Sequence, residues 1–110
     1  MNVETLLQQY DSDDRDFSNT ELHSAELIKA KLSDINLICA NLSQAAIEDT
    51  NLREAFLVLA NLEQADLSDT MATTTNFSGA NLAETSVGNS YHEKSEESLA
   101  IAKLSQVIQY

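Results

Sequence analysis

From Arg15 to Asn89 the chain reads in consecutive units of five residues: RDFSN, TELHS, AELIK, AKLSD, INLIC, ANLSQ, AAIED, TNLRE, AFLVL, ANLEQ, ADLSD, TMATT, TNFSG, ANLAE and TSVGN, fifteen without a gap. Their centres are Phe17, Leu22, Leu27, Leu32, Leu37, Leu42, Ile47, Leu52, Leu57, Leu62, Leu67, Ala72, Phe77, Leu82 and Val87. Fourteen of these 15 are Leu, Ile, Val or Phe, types that supply 28 of all 110 residues, so the repeat has one definite phase. Two residues before each centre stands Ala or Thr in 13 of 15 units, Arg15 and Ile35 being the exceptions. A second position is therefore restricted in size.

A period of five suits neither regular element. On a helix each step of five turns roughly 140° and winds the leucines around every side, and on a strand they alternate between faces. Both positions are buried together if each unit makes one short flat face and then a corner, with the centre and the small residue turned into a common interior. Coils built this way stack at about 4.8 Å and satisfy their backbones against one another. The interior is narrow, which explains the small residue. Thr20, Thr50, Thr70, Thr75 and Thr85 fit there if their hydroxyls bond the backbone, since an unpaired buried hydroxyl costs about 1–3 kcal/mol.

The units ANLSQ, ANLEQ, ADLSD and ANLAE resemble the A(D/N)LXX signature of the pentapeptide-repeat proteins, and the in-phase array covers about two thirds of the chain. The resemblance implies an all-β solenoid, the family's right-handed quadrilateral β-helix with four units per coil. Fifteen units would then make about 3.75 coils, a stack roughly 15–20 Å tall. The opening NVETLLQQY, followed by an acidic stretch and RDF, is similar to the starts of cyanobacterial members. Another branch of the family looks like acidic rods that mimic DNA and bind DNA gyrase. The net charge of −12 suits that branch, but 3.75 coils would span only about five base pairs.

Three segments follow. Residues 1–14 form an N-terminal capping helix and acidic lead-in, 15–89 the repeat, and 90–110 a linker and C-terminal amphipathic helix. A stack of coils exposes an apolar floor and roof that end elements must cover. Val3, Leu6, Leu7 and Tyr10 share one side of a helical wheel, with Asn2 as N-cap and Glu4 in the first turn. Ala100, Ile101, Leu104, Val107 and Ile108 do the same behind Ser95, Glu96 and Glu97, so that helix either roofs the last coil or lies against a face. The repeat ends where SYHEK puts His92 at a centre.

Four units per coil sort the outward residues into faces. We number them from the unit of Phe17, so that face one also holds the units of Leu37, Leu57 and Phe77. Six Leu, Ile, Val or Phe residues of the repeat lie off centre, and five belong to face one: Ile35, which points inward, and Ile38, Phe56, Val58 and Leu59, which point out beside Cys39. The charge of face one is Arg15 and Asp16 alone, a net of zero, whereas face three has Glu26, Glu48, Asp49, Asp66 and Asp69 against Lys29. An apolar patch on an otherwise acidic protein points to an interface. The expected role is thus a non-enzymatic interaction or scaffold module that presents Ile38, Cys39, Phe56, Val58 and Leu59 to a protein partner or to a second copy. A purely structural protein is the remaining alternative.

The residues suggest no catalytic, cofactor or metal site. Among His23, His92, Cys39 and the carboxylates there is no HExxH, CxxC, EF-hand loop or glycine-rich phosphate loop. His23, Ser43 and Glu63 share one outward column, but serine sits between the other two, which is the wrong order for a triad. A lone cysteine makes no internal disulfide. Eighteen acidic against six basic residues disfavour direct contact with nucleic acid and with anionic lipid. No apolar run approaches the roughly 20 residues of a membrane span, and the expectation is a cytoplasmic protein.

Overall fold

The computed structural model of the chain describes residues 1–87. The expected linker and C-terminal helix, with His92, lie outside the described residues. Within them the path is set by a turn in every unit. Ala40 N–H donates to the Leu37 carbonyl at 3.0 Å, closing a four-residue turn whose third residue, Cys39, has φ 61°. This is the signature of a type II turn. A positive φ recurs at every fifth residue from Asn19 to Glu84, with Gly79 the only glycine among them.

Successive turns bring the chain back above itself after 20 residues. Asp16 pairs in parallel with Asn36, Asn36 with Phe56, and Phe56 with Asn76, and three further columns run from Glu21, Glu26 and Lys31. Each pairing is one residue wide. Phe56 N–H donates upward-to-downward to the Ile35 carbonyl at 2.9 Å, while Leu37 N–H donates to the Phe56 carbonyl at 2.8 Å and Cys39 N–H to that of Val58 at 2.9 Å. Every coil is thereby held to its neighbours on four sides.

The residue before each centre explains the Asp/Asn preference at that position. The Oδ1 of Asn36 accepts the N–H of Ile38 at 3.0 Å, and the same bond joins Asp16 to Ser18, Asn41 to Ser43, Asn51 to Arg53, Asn61 to Glu63, Asp66 to Ser68, Asn76 to Ser78 and Asn81 to Ala83. The short amide or carboxylate thus satisfies a corner N–H that the ladder does not reach. Phe56 occupies this position on face one and has no such oxygen.

The interior holds every centre from Phe17 to Leu82, all buried, with Val87 half-buried. Ala40, Ala45, Ala55, Ala60, Ala65, Ala80 and Ile35 are buried beside them. Thr50, Thr70 and Thr75 donate their hydroxyls to Leu27, Ile47 and Leu52 carbonyls one coil below, at 2.6, 2.9 and 2.5 Å. Thr20, in the first coil, has no coil beneath it and bonds Phe17 within its own turn at 2.5 Å, as Thr85 bonds Leu82 at 2.9 Å.

Helix α1 (Val3–Asp11) packs against the core of the coils. Asn2 caps it, its side chain accepting the Thr5 N–H at 2.8 Å, and Leu6 is fully buried with Val3, Leu7 and Tyr10 packed partly against the core. The N-terminal segment also meets backbone groups that a lower coil would otherwise satisfy. Tyr10 donates its hydroxyl to the Ser33 carbonyl at 2.7 Å, the Met1 ammonium donates to the Glu21 carbonyl at 3.0 Å, and Asp14 accepts the Asp16 N–H at 3.1 Å. On face three the floor edge carries Glu26 and Lys29, charges of the kind that keep a strand edge from pairing with another chain.

Candidate interaction surface

On face one the residue before the centre stands in the middle of the wall and the two after it form the outgoing corner. Phe56 projects from the wall and is 46% exposed, and Leu59 projects from the corner and is 62% exposed. Ile38 and Val58 are half-buried, and Cys39 is an exposed free thiol one coil beneath Leu59. The five residues therefore form two projections joined by a partly covered corner, which unit-by-unit sorting of the sequence does not reveal.

Below Phe56 the wall is concave. Arg15, Asp16, Asp34, Asn36, Ile38 and Phe56 line a shallow, mainly apolar hollow of about 370 Å3. Asp34 corrects the expectation that Arg15 and Asp16 are the only charges on this face. It is the last residue of a face-four unit, but it sits at the corner that leads into face one and so borders the following wall. Arg15 is fixed at the base of the hollow: its guanidinium lies 3.7 Å from the centre of the Tyr10 ring and donates to the carbonyls of Tyr10 and Asp14 at 2.8 and 3.0 Å. Asp16 accepts the Ser18 hydroxyl at 2.8 Å and the Ser18 N–H at 3.2 Å, which hold its carboxyl below the usual carboxylate range.

The rest of the repeat divides by charge. Face four balances Lys31 and Arg53 against Asp34 and Glu54, a net of zero like face one, whereas face two has Glu21, Glu63 and Glu84 and face three has a net of −4. Two adjacent walls are neutral and the other two are acidic.

The His23 column carries no catalytic geometry. His23 Nδ1 and Ser43 Oγ are 2.7 Å apart, but the Ser43 hydroxyl also lies 2.8 Å from Asn41 Oδ1, which can only accept. With its one proton given to Asn41, Ser43 accepts from His23, the reverse of what a serine nucleophile and its base require. Asn41 is held in turn by donating to Glu21 at 2.9 Å. Among the described residues no group of three His, Cys, Asp or Glu side chains could hold a metal ion, and no helix is long and apolar enough to cross a membrane.

The pentapeptide repeat model matches in eight copies over residues 16–53, 40–79 and 60–90. The chain belongs to the pentapeptide repeat family. Solved pentapeptide repeat proteins of cyanobacteria are similar to it: Rfr23 from Cyanothece 51142 at 30% identity and a TM-score of 0.55, over 66% of this chain and 56% of that one. The pentapeptide repeat protein alr5209 from Nostoc PCC 7120 is 31% identical with a TM-score of 0.50, over 78% of this chain and 75% of its own. This chain thus spans little more than half the length of Rfr23. None of the curated proteins matches. The fold is the family's right-handed β-helix, and pentapeptide repeat proteins are generally interaction or structural modules rather than enzymes.

Proposed function

We propose that this pentapeptide repeat protein is a non-enzymatic interaction module whose rigid β-helix presents face one to a protein partner or to a second copy. In this reading α1 is the lower cap of the coils that begin at Arg15. The observation that carries the proposal is the outward projection of Phe56 and Leu59 above the hollow that Ile38 and Phe56 help to line. Large apolar side chains standing together on an acidic protein mark contact surfaces, and aromatic residues dominate the energetics of such contacts. The ladder meanwhile keeps the backbone beneath them fixed, so little ordering cost accompanies binding.

The test is affinity capture from the native host with the wild-type chain and with Phe56→Asp/Val58→Lys. Charges placed in the centre of an apolar contact are desolvated without partners, so the double variant should lose the captured proteins while keeping its circular dichroism spectrum. Asp66→Lys/Asp69→Lys on face three should retain them. A folded Phe56→Asp/Val58→Lys protein that captures everything the wild type does would overturn the proposal.

A further inference from the structure

The hollow on face one is lined by two carboxylates with oxygens that the chain itself leaves unused. Every bond accepted by the Asp16 side chain falls on Oδ1: the Ser18 hydroxyl at 2.8 Å, the Ser18 N–H at 3.2 Å and the Asn36 side-chain amide at 3.4 Å. Its Oδ2 has no partner among the described residues. Asp34 is exposed, and among the described residues its carboxylate takes part in no hydrogen bond or ion pair. The nearby cations do not neutralise either group. Arg15 is held by the Tyr10 ring and by the carbonyls of Tyr10 and Asp14, and Arg53 meets Asp34 through its backbone carbonyl, which accepts the Asp34 N–H at 3.0 Å. Beside the free oxygens the hollow is walled by Ile38 and Phe56. Phe17 and Phe77 are buried, so Phe56 is the one exposed aromatic ring among the described residues of the repeat.

Resting on the interaction-module reading above, we propose that the hollow receives an arginine side chain of a protein partner, one that stands among apolar residues. The guanidinium donates to the free oxygens of Asp16 and Asp34 and lies against the Phe56 ring, while its alkyl stem covers Ile38. Arginine suits these neighbours because its planar fork matches a carboxylate, its face stacks on an aromatic ring, and its stem buries apolar surface. Apolar neighbours of that arginine meet Phe56 and Leu59, which project above the hollow. Charge points the same way. The chain carries −12, and α1 ends without a basic residue in its last turn and is followed by Asp13 and Asp14, so the lower end of face one attracts cations and steers them inward. A purely apolar segment in the hollow would desolvate two carboxylates without pairing them, and an acidic one would be repelled. Faces two and three are acidic as well, and Ile28 is exposed on face three beside Lys29. Face one differs in that its carboxylates border a hollow with an aromatic wall.

NMR titration of the isotope-labelled full chain with the end-blocked tripeptide Leu-Arg-Leu, and with the same peptide carrying citrulline in place of arginine, tests this. Citrulline keeps the shape of arginine and lacks its charge. The expected result is saturable amide shifts at Asp34, Asn36, Ile38 and Phe56 with the arginine peptide, binding that weakens as salt is raised, and about ten-fold weaker binding of the citrulline peptide. Asp16→Asn/Asp34→Asn should weaken the arginine peptide by a similar factor and leave the citrulline peptide as it was. Both replacements suit the fold: asparagine makes the same corner bond at Asn36 and Asn41, and it adopts the φ of 63° at Asp34 readily. Ile28→Ala on face three should leave the affinity unchanged. Equal binding of the two peptides, no saturable shift at the hollow, or a folded double variant that binds the arginine peptide as wild type does would each overturn the arginine proposal. The interaction-module reading would then still stand or fall on the capture experiment above, which changes Phe56 and Val58 instead.

Discussion

Leu59 lies across Gly79 so closely that a methyl group added to the glycine would stand 2.7 Å from the leucine Cδ2. Both residues sit at the same corner of successive coils with φ of 59° and 69°, and the absence of a side chain on the upper one makes room for the end of the lower one. Holding a leucine in this left-handed conformation costs roughly 1–2 kcal/mol relative to ordinary backbone. Leu59→Asn should therefore raise the urea midpoint by the equivalent of up to about 1 kcal/mol, asparagine being at ease there. Gly79→Ala should lower it by about 1 kcal/mol, through a strained φ and displacement of the leucine. A Gly79→Ala protein as stable as wild type would show that the corner relaxes.

The register can be checked at the unit of Leu62, on face two of the third coil. Leu62 and Ala60 are buried and Glu63 is exposed. Leu62→Ala should cost about 2–5 kcal/mol by opening a cavity and Ala60→Leu about 1–3 kcal/mol by overfilling a narrow interior. Glu63→Ala should stay within about 0.5 kcal/mol. Denaturation midpoints of the three variants decide, and equal shifts would contradict the burial pattern.

Helix α1 offers two separable contributions to stability. Leu6 is fully buried against the coil, so Leu6→Ala should cost about 2–5 kcal/mol. Tyr10→Phe removes only the bond to the Ser33 carbonyl, keeps the ring beneath Arg15, and should cost about 0.5–1.5 kcal/mol. Removing residues 1–11 uncovers the floor and frees the Ser33 and Glu21 carbonyls, and the shortened chain should associate end to end. Light scattering that shows a monomer with unchanged melting temperature would count against α1 as a cap.

Asp16 provides a reading of local structure through pH. The Ser18 hydroxyl and N–H favour its charged form in the folded state, so this contribution to stability is present above the unfolded pKa and is lost as pH falls through the folded one. In Ser18→Ala the larger of the two causes is gone. Carbon-detected NMR titration should show the Asp16 midpoint moving up toward the ordinary carboxylate value, and an unmoved midpoint would assign the depression to another group.

The interior was legible in the sequence because burial imposes two demands, bulk at one position and smallness two before it, that recur at a spacing no helix or strand shares. Asn2, Leu6 and Tyr10 were legible for a similar reason, since a helix end and an apolar stripe have signals of their own. The surface was less so. Asp34 belongs to one unit but borders the next wall, and no unit boundary shows where a corner side chain projects. Val58 carries the same type of side chain as its exposed neighbours yet is half-covered. The positive φ at Cys39 and Leu59 was hidden because neither residue is the glycine or asparagine that advertises such a turn.

The single-residue pairings at intervals of 20 make the outer surface depend on chain phase in a way the interior does not. Loss or gain of one five-residue unit leaves every leucine pointing inward, because each wall of the interior accepts the same pair of residues. All that lies above the change, however, turns by a quarter of a revolution. Removing a unit between Ile38 and Phe56 would carry Phe56 and Leu59 onto the neighbouring wall and away from the hollow that Ile38 and Asp34 still line. Lineages of this chain are thus free to change length in steps of five without losing the fold, but only steps of 20 keep the wall of Phe56 in one piece.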